Sequence, residues 1–156
     1  MAHLITYTPD HQDRVEAFFE HVRAGTAFPF EPEGSHADLR QIPTIYQSAG
    51  GQFWLLLDAS LLIGTIALKA LTSEVAEIKR LQLLEAYQGR GFGTQLFRIA
   101  LEHAGSQGFA RVRLDSNRDN GPALGLYDKF GFQEIGRYND NPHVDIFMEL
   151  GLDRIT

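Results

Sequence analysis

The chain has 156 residues, of which 44% are hydrophobic, and it contains no cysteine. The lack of cysteine excludes disulfides, thiolate catalysis and cysteine-bound zinc from these residues. A formal net charge of −6 argues against nonspecific binding to nucleic acid, and no apolar run reaches the roughly 18 residues that span a bilayer. We expect a single domain over residues 1–156. The start of the chain lacks the basic and apolar regions of a signal peptide, which favours a cytoplasmic protein.

The first third of the chain is predicted to hold one strand and one helix. The strand is expected at 3–8, and Pro9 followed by Asp10 is typical of a helix start. The helix is supported by apolar residues at helical spacing, which are Val15, Phe18, Phe19 and Val22. From 25 to 51 the pattern is irregular, with a short helix expected near 36–41.

The middle of the chain is predicted to form an antiparallel meander of three strands, at 52–57, 61–71 and 74–84. In the third strand the apolar alternation slips, because Ile78 is at an even position whereas Leu81 and Leu83 are at odd ones. A strand that keeps one face buried can absorb such a slip with a β-bulge. We therefore expect a bulge within this strand, a feature that often lies beside active sites.

The second half of the chain is predicted to begin with a long helix at 91–107, ended by Gly108. One face of this helix holds Leu96, Ile99, Ala100 and His103. The later elements are expected in the order strand 110–115, helix 122–130, strand 132–138 and strand 144–150. Because a helical crossover joins the strands before and after the long helix, these two strands should be parallel. The fold class is therefore α/β, with a mixed sheet whose first half is antiparallel.

The stretch Gln88-Gly89-Arg90-Gly91-Phe92-Gly93 joins a predicted strand to the long helix. Glycines there allow backbone N–H groups to approach a phosphate at a helix start. A Walker A loop is excluded because the chain has no Gly-Lys pair. A dinucleotide fingerprint fails because Thr94 occupies the last glycine position and the turn follows an antiparallel meander, although Asp115 lies near the expected acidic distance.

The same six residues match the pattern [RQ]-x-x-G-x-[GA] and resemble the pyrophosphate loop of the GNAT superfamily of acetyl-CoA-dependent N-acetyltransferases. A second segment, 120–132, reads NGPALGLYDKFGF and is similar to a later segment of that family, in which an Asn precedes A-x-x-L-Y-x-x-x-G-F. The resemblance is clear from 74 to 132 and poor over 25–51. It implies a mixed, mostly antiparallel sheet of about seven strands flanked by about four helices, with one parallel crossover.

The resemblance also implies an activity, in which an acetyl group passes from acetyl-CoA to a primary amine of a small molecule, peptide or protein by direct attack on the thioester. Backbone amides of the glycine turn would bind the pyrophosphate, a strand edge would pair with the pantetheine arm, and Asn120 would hydrogen-bond that arm. The residues so assigned to the cofactor are Leu81, Gln82, Leu83, Gln88, Gly89, Arg90, Gly91, Phe92, Gly93, Thr94 and Asn120.

The reaction that the resemblance implies needs a general acid and a general base. Tyr127 is implied as the acid that protonates the leaving thiolate, although helical apolar spacing also fits a core aromatic. An alkylamine has a pKa of about 10, so a base or a water chain is needed at neutral pH. Glu77 and Asp115 are the two candidates for the base, and each could instead be solvated or paired with a nearby arginine.

Several alternatives stay open from the sequence. The chain could be a catalytically silent acyl-CoA-binding regulatory domain or a nucleotide-binding protein. Six histidines show no H-x-x-x-H spacing, so no metal site is expected. Small amines, amino acids, aminoglycosides, peptide N-termini and lysine side chains are all compatible acceptors, and Phe28, Phe30 and Tyr46 are candidates for the acceptor pocket. The last two strands are also compatible with a homodimer.

Overall fold

A seven-stranded sheet runs through the molecule in the order β1-β2-β3-β4-β5-β7-β6. The computed structural model describes residues 2–152. The strands are β1 (Ala2–Thr6), β2 (Gln52–Asp58), β3 (Leu61–Ala70), β4 (Val75–Leu83), β5 (Arg111–Ser116), β6 (Gln133–Ile135) and β7 (Ile146–Gly151). Within the described residues, β4 and β5 are the parallel pair and every other pair is antiparallel. The predicted mixed sheet with one parallel crossover is thus confirmed.

Among residues 2–152, four α-helices flank the sheet: α1 (Gln12–Arg23), α2 (Ile42–Ile45), α3 (Phe92–Ser106) and α4 (Gly121–Lys129). Short 3₁₀ turns lie at Pro9–His11, Ala37–Arg40 and Glu85–Tyr87. The short helix expected near 36–41 is a 3₁₀ turn, and α2 follows it with a proline in its first turn. Proline is favoured there because its fixed φ suits a helix start and its missing N–H would have no partner.

The core lies on both faces of the sheet, because β2 and β3 are buried on both sides. Side chains of α1 and α2 pack on one face, where Val15 and Phe19 are fully buried. The other face is covered by α3 and α4. Leu96 and Ala100 are buried as predicted, whereas Ile99 and His103 are only half-buried. Phe97 completes this face, with its ring centroid 5.0–5.4 Å from those of Tyr127, Phe130 and Phe132.

The predicted bulge in β4 is confirmed by the strand register. Pairing with β3 passes from Thr65↔Gln82 to Ala67↔Lys79, so β4 contains one extra residue in this interval. Arg80 lies in that interval with a φ of 57°, in the left-handed region that few non-glycine residues adopt. The Thr65 hydroxyl donates to the Arg80 carbonyl at 2.7 Å. The bulge thus lies just beyond the residues of β4 that pair with β5.

β4 and β5 pair only over Val75–Glu77 and Arg111–Arg113, and beyond them the two strands separate. β5 continues to pair with β7 as far as Ser116, whereas β4 follows β3. A wedge therefore opens between them at the centre of the sheet.

The last two strands are shorter or displaced relative to their predicted bounds of 132–138 and 144–150. β6 ends at Ile135, and β7 begins at Ile146. Between them lies a loop, in which the Arg137 guanidinium donates to the carbonyls of Asn139, Asn141 and Val144. In a regular hairpin, such carbonyls accept hydrogen bonds from backbone N–H groups of the partner strand. Here the Arg137 side chain donates to them instead. Residues 141–144 of this loop border the wedge.

Candidate active site

A cavity of about 530 Å³ occupies the wedge between β4 and β5. Its floor is formed by the bulged segment 78–82 of β4 and by residues 114–117, which are the end of β5 and the residue that follows it. Asn120 and Tyr127 line one side, and the loops that carry Phe28 and His143 line the other. The separation of the two strands thus creates a single cavity bordered by β4, β5, α4 and two loops.

The glycine turn at the start of α3 has the geometry of an anion site. Gly89 and Gly91 have φ values of 73° and 87°, and a Cβ at either position would meet nothing within 4 Å. The first intrahelical bond runs from the Gln95 N–H to the Gly91 carbonyl at 3.1 Å. The N–H groups of 92–94 therefore have no intrahelical partner, and the positive end of the helix dipole lies at the same place. The open space and the free donors fit a pyrophosphate.

Two side chains support this turn. The Gln88 amide donates to the carbonyl of Leu83 at 3.2 Å, which ties the turn to the end of β4. The Arg90 guanidinium lies 5.0 Å from the centroid of the Tyr87 ring and 5.5 Å from that of Phe92. Each ring face attracts the positively charged guanidinium through a cation–π interaction. They keep a positive charge beside the glycine turn.

The edge of β4 that faces the wedge has no strand partner beyond Glu77 among the described residues. Leu81 and Gln82 line the cavity. Leu83 differs from them, because its side chain fills the space at Gly64, where a Cβ would lie 2.7 Å from Leu83 Cδ2. The unpaired edge can accept an extended ligand as an added strand.

Asn120 occupies the N-cap position of α4, yet its side chain forms no capping bond. An asparagine at this position commonly accepts a hydrogen bond from the first turn of the helix. Its amide instead borders the cavity, together with Ser116 and Asn117. Asn120 is therefore available to a ligand in the wedge.

Tyr127 belongs both to the core and to the cavity. It is buried, with its ring centroid 5.4 Å from that of Phe97 and 6.3 Å from that of Phe132, and it also lines the cavity. Burial raises the pKa of its phenol, and the charge of Asp115 raises it further, while a hydrogen bond from Ser116 acts in the opposite direction. The core and site interpretations of this residue are thus compatible.

Glu77 and Asp115 are brought together by Lys79. The Lys79 ammonium lies 3.9 Å from Glu77 Oε1 and 3.7 Å from Asp115 Oδ1. Tyr138 donates its hydroxyl proton to Glu77 Oε2 at 2.5 Å, and the Asn139 amide donates to Asp115 Oδ2 at 2.8 Å. Asp115 lines the cavity, whereas Glu77 lies behind Lys79 and is buried.

The arginines considered as partners of these acids pair elsewhere. Arg111 and Arg113 approach Glu149 at 3.6 and 2.8 Å, and Arg80 pairs with Asp38. The partners that the structure shows are Lys79, Tyr138 and Asn139, which the sequence analysis missed. Lys79 could have been found from strand periodicity, since residues two apart share a face. The other two lie in the loop after β6, where periodicity carries no information.

The opposite wall of the cavity is held by a half-buried ion pair. The guanidinium of Arg80 donates to both carboxylate oxygens of Asp38 at 2.9 and 2.5 Å, and Tyr46 donates to the same carboxylate at 2.5 Å. Arg80 also donates to the Ser35 carbonyl at 3.0 Å. Opposing charges and hydrogen bonds lower the pKa of Asp38, although burial acts against them. The strained bulge residue is thereby joined to the irregular segment near α2.

His36 and Phe28 lie at the outer part of this wall. The ring of His36 accepts the Glu31 N–H at Nδ1, 3.0 Å away. Burial and the charges of Arg80 and Arg23 lower the pKa of His36 to about 4. The ring centroids of Phe28 and His143 are 4.5 Å apart, so the two loops that border the cavity are in contact.

Of the residues expected at an acceptor pocket, Phe28 lines the cavity. Tyr46 is buried beneath Asp38, and Phe30 packs on the ring of His36.

In the part of the chain that the structure describes, no group of three or more acidic or histidine side chains could hold a metal ion. Across residues 2–152, no helix combines the length and apolar character that crossing a bilayer requires.

Comparison with known proteins assigns this architecture to a family. The sequence profile of the Acetyltransferase (GNAT) family matches residues 15–132. The chain belongs to the GNAT acetyltransferase family. The matched residues include β4, β5 and the glycine turn, as well as most of α1 and the irregular segment 25–51, over which the resemblance read from sequence patterns was poor.

Individual GNAT proteins agree with this assignment. N-acetyltransferase family 8 member 2 of Rattus norvegicus is 32% identical over 107 residues, which are 65% of this chain and 47% of the relative. The chain therefore spans about half the length of that relative.

Solved GNAT structures share the fold. A GNAT-family acetyltransferase from Staphylococcus aureus Mu50 superposes with a TM-score of 0.88 at 21% identity, covering 98% of this chain and 100% of that one. The PaiA N-acetyltransferase of Thermoplasma acidophilum, solved in complex with coenzyme A, gives a TM-score of 0.72 at 22% identity over 97% of this chain and 99% of its own.

Proposed function

We propose that this protein transfers an acetyl group from acetyl-CoA to a primary amine by direct attack of the amine on the thioester. The observation that carries the proposal is the wedge itself. One cavity joins the unpaired, bulged edge of β4, the end of β5 and Tyr127. The glycine turn with its free N–H groups lies between β4 and α3, after the short 3₁₀ turn at Glu85–Tyr87.

The residues present fit acetyl-CoA. The N–H groups of 89–94 would hold the pyrophosphate, with the Arg90 guanidinium beside them. The free edge at Leu81 and Gln82 would bind the pantetheine arm as an added strand, and Asn120 would donate or accept a hydrogen bond along it. When bound, acetyl-CoA supplies an acetyl group activated as a thioester. PaiA, a structural neighbour, was solved with coenzyme A, which supports this choice of donor.

Tyr127 is proposed as the general acid for the leaving sulfur. Its pKa is raised by burial, so its hydroxyl is protonated at neutral pH and can donate. It lines the cavity on the side where α4 and the end of β5 meet. The backbone N–H groups at the bulge would stabilise negative charge on the carbonyl oxygen.

Asp115 is the better-supported proton acceptor for the amine. It lines the cavity, and one of its oxygens is 3.7 Å from Lys79 while the other accepts from Asn139. Glu77 does not line the cavity, and its Oε2 accepts the Tyr138 hydroxyl proton. We therefore assign Glu77 to holding Lys79 and Tyr138 in place, with Asp115 facing the amine.

Direct transfer is supported by the lack of cysteine in the chain, since no thiol is present to form an acetyl-enzyme. The donor and the acceptor would meet in the wedge, which is bordered on one side by Tyr127 and on the other by the loops that carry Phe28 and His143. A ternary complex, rather than a ping-pong exchange, is the expected kinetic scheme. Initial rates measured against both substrates should accordingly give intersecting, not parallel, reciprocal plots.

The proposal is tested by measuring thiol release from acetyl-CoA across a panel of primary amines, with mass spectrometry of the acetylated products. We expect amine-dependent release and an acetylated product for at least one class of amine. Tight binding of coenzyme A without turnover would show a silent acyl-CoA-binding domain instead. Stabilisation by NAD or ATP, with none by coenzyme A, would show a nucleotide-binding protein.

A further inference from the structure

We infer that the amine acceptor carries an anionic group, a carboxylate or a phosphate, which binds Arg23 at the outer end of the cavity. This inference rests on the proposed function and defines the class of acceptor that the same cavity selects.

Arg23 ends α1 and lines the cavity with free donors. Its Nε donates to the Phe28 carbonyl at 2.9 Å, which fixes the guanidinium in orientation. No other hydrogen bond or ion pair links its guanidinium to residues 2–152. Its Nη groups therefore keep donors in the forked arrangement that suits carboxylate and phosphate oxygens.

The charge of Arg23 is not neutralised locally. Arg80, which also lines the cavity, is matched by Asp38 through two short hydrogen bonds. His36 lies between them and stays neutral at physiological pH. Glu31 also acts on His36, yet it is exposed and is absent from the cavity wall. This wall thus has one excess positive charge facing the cavity.

The positive charge of Arg80 acts on Arg23 directly. Partial burial lowers the pKa of Arg23, and the positive charge of Arg80 lowers it further. Neighbouring like charges disfavour each other unless an anion lies between or beside them. An anionic ligand would relieve this repulsion, and a cationic one would add to it.

The other end of the cavity has the opposite sign. Asp115 and Glu77 share the single ammonium of Lys79, which leaves one excess negative charge beside the proposed base. A molecule with an amine at one end and an anion at the other matches both ends. Amino acids and aminoalkyl phosphates have this pattern, whereas polyamines and lysine-rich peptides do not.

The test compares matched acceptors in the thiol-release assay. The carboxylate pairs are glycine, phenylalanine and methionine, each with its amide. The phosphate pair is 2-aminoethyl phosphate with ethanolamine. We expect the anionic member of at least one pair to have a kcat/KM at least about tenfold higher than its neutral partner. The pair that shows the preference tells carboxylate from phosphate.

Variants connect the preference to Arg23. Arg23→Gln should remove most of the preference through a raised KM, and Arg23→Lys should keep part of it, since the charge remains but the fork is lost. Arg14→Gln is the matched control, because Arg14 lies on the same helix, is exposed and borders a different, apolar groove. Arg14→Gln should leave the preference intact, and melting temperatures check that each variant is folded.

Equal rates for anionic and neutral partners, or an unchanged preference in Arg23→Gln, would overturn the inference while leaving the proposed function standing. Absence of turnover with every amine would overturn both.

Discussion

Tyr127 combines an apolar environment with a polar neighbour, and this combination sets its chemistry. The rings of Phe97 and Phe132, together with burial, hold the phenol in place, and the same burial raises its pKa. Tyr127→Phe keeps the ring packing and removes only the hydroxyl. We expect kcat to fall by about 10²-fold, because a general acid commonly contributes this much, with little change in coenzyme A affinity. Steady-state kinetics and calorimetry measure the two quantities, and an unchanged kcat would remove Tyr127 from the mechanism.

Asp115 and Glu77 can be separated by paired substitutions. Asp115→Asn should lower kcat/KM by about 10²-fold or more, since it removes the proposed proton acceptor at the cavity. Glu77→Gln keeps an acceptor for the Tyr138 hydroxyl and should lower the rate less. The comparison uses kcat/KM of the two variants with the same amine. A larger loss in Glu77→Gln than in Asp115→Asn would reverse the assignment of the two acids.

At the residue scale, the sequence singled out candidate positions for the chemistry but not the side chains that contact them. Glu77, Asp115 and Tyr127 stand out because their types and order match a known pattern. Their partners are separated from them along the chain: Tyr138 reaches Glu77 across 61 residues, and Arg80 reaches Asp38 across 42. Contacts of this kind depend on how strands diverge and loops return, which no local pattern encodes.

At the scale of elements, the glycine turn tests whether backbone geometry creates the anion site. Gly91→Ala places a Cβ on a residue with a φ of 87° at the start of α3. We expect a loss of about 1–2 kcal/mol of unfolding free energy and weaker coenzyme A binding, because an alanine disfavours this conformation. Chemical denaturation and calorimetry measure the two effects.

Gly105→Ala is the matched control in the same helix. Gly105 lies within α3, and a Cβ there would meet nothing within 4 Å. This change should stabilise the protein by about 0.5–1 kcal/mol and leave coenzyme A affinity unchanged. Equal affinity in Gly91→Ala and Gly105→Ala would contradict the proposed role of the turn.

The segment between α1 and α2 is held by a neutral histidine, which makes its stability depend on pH. His36 has a pKa of about 4 in the folded protein, whereas its ordinary value is 6.5. Between these two pH values the unfolded chain therefore binds a proton that the folded chain does not. The unfolding free energy should therefore fall as pH drops from 6.5 towards 4, and level off below.

His36→Asn tests this, because the Asn oxygen can still accept the Glu31 N–H that His36 Nδ1 accepts. Urea denaturation at neutral pH and near pH 4.5 should show that the wild type loses up to about 2 kcal/mol more than the variant. Equal losses in the two proteins would show that His36 does not titrate in this window.

Elements were predicted well where periodicity or turn chemistry is strong. The three central strands, α1, α3 and α4 follow from such patterns, and the parity slip in β4 correctly indicated the bulge. The prediction was least accurate at α2 and at the strands after Gly131, where four-residue and three-residue elements depend on tertiary contacts.

At the scale of the whole molecule, the central sheet places the proposed donor-binding and acceptor-binding parts of the site in one cavity. Two hydrophobic cores fix the sheet from either face, and the divergence of β4 from β5 leaves a cavity between them. Although the net charge of the chain is −6, the cavity has a negative group, Asp115, at one end and a positive group, Arg23, at the other. We propose that residues 1–156 act as one catalytic domain, and the homodimer stays a prediction.

A crystal structure of the complex with coenzyme A tests the central claim most directly. We expect pyrophosphate oxygens within hydrogen-bonding distance of the N–H groups of 89–94, with the pantetheine arm along Leu81 and Gln82 and the thiol beside Tyr127. Coenzyme A bound outside the wedge, or a pyrophosphate held by side chains away from the glycine turn, would contradict it.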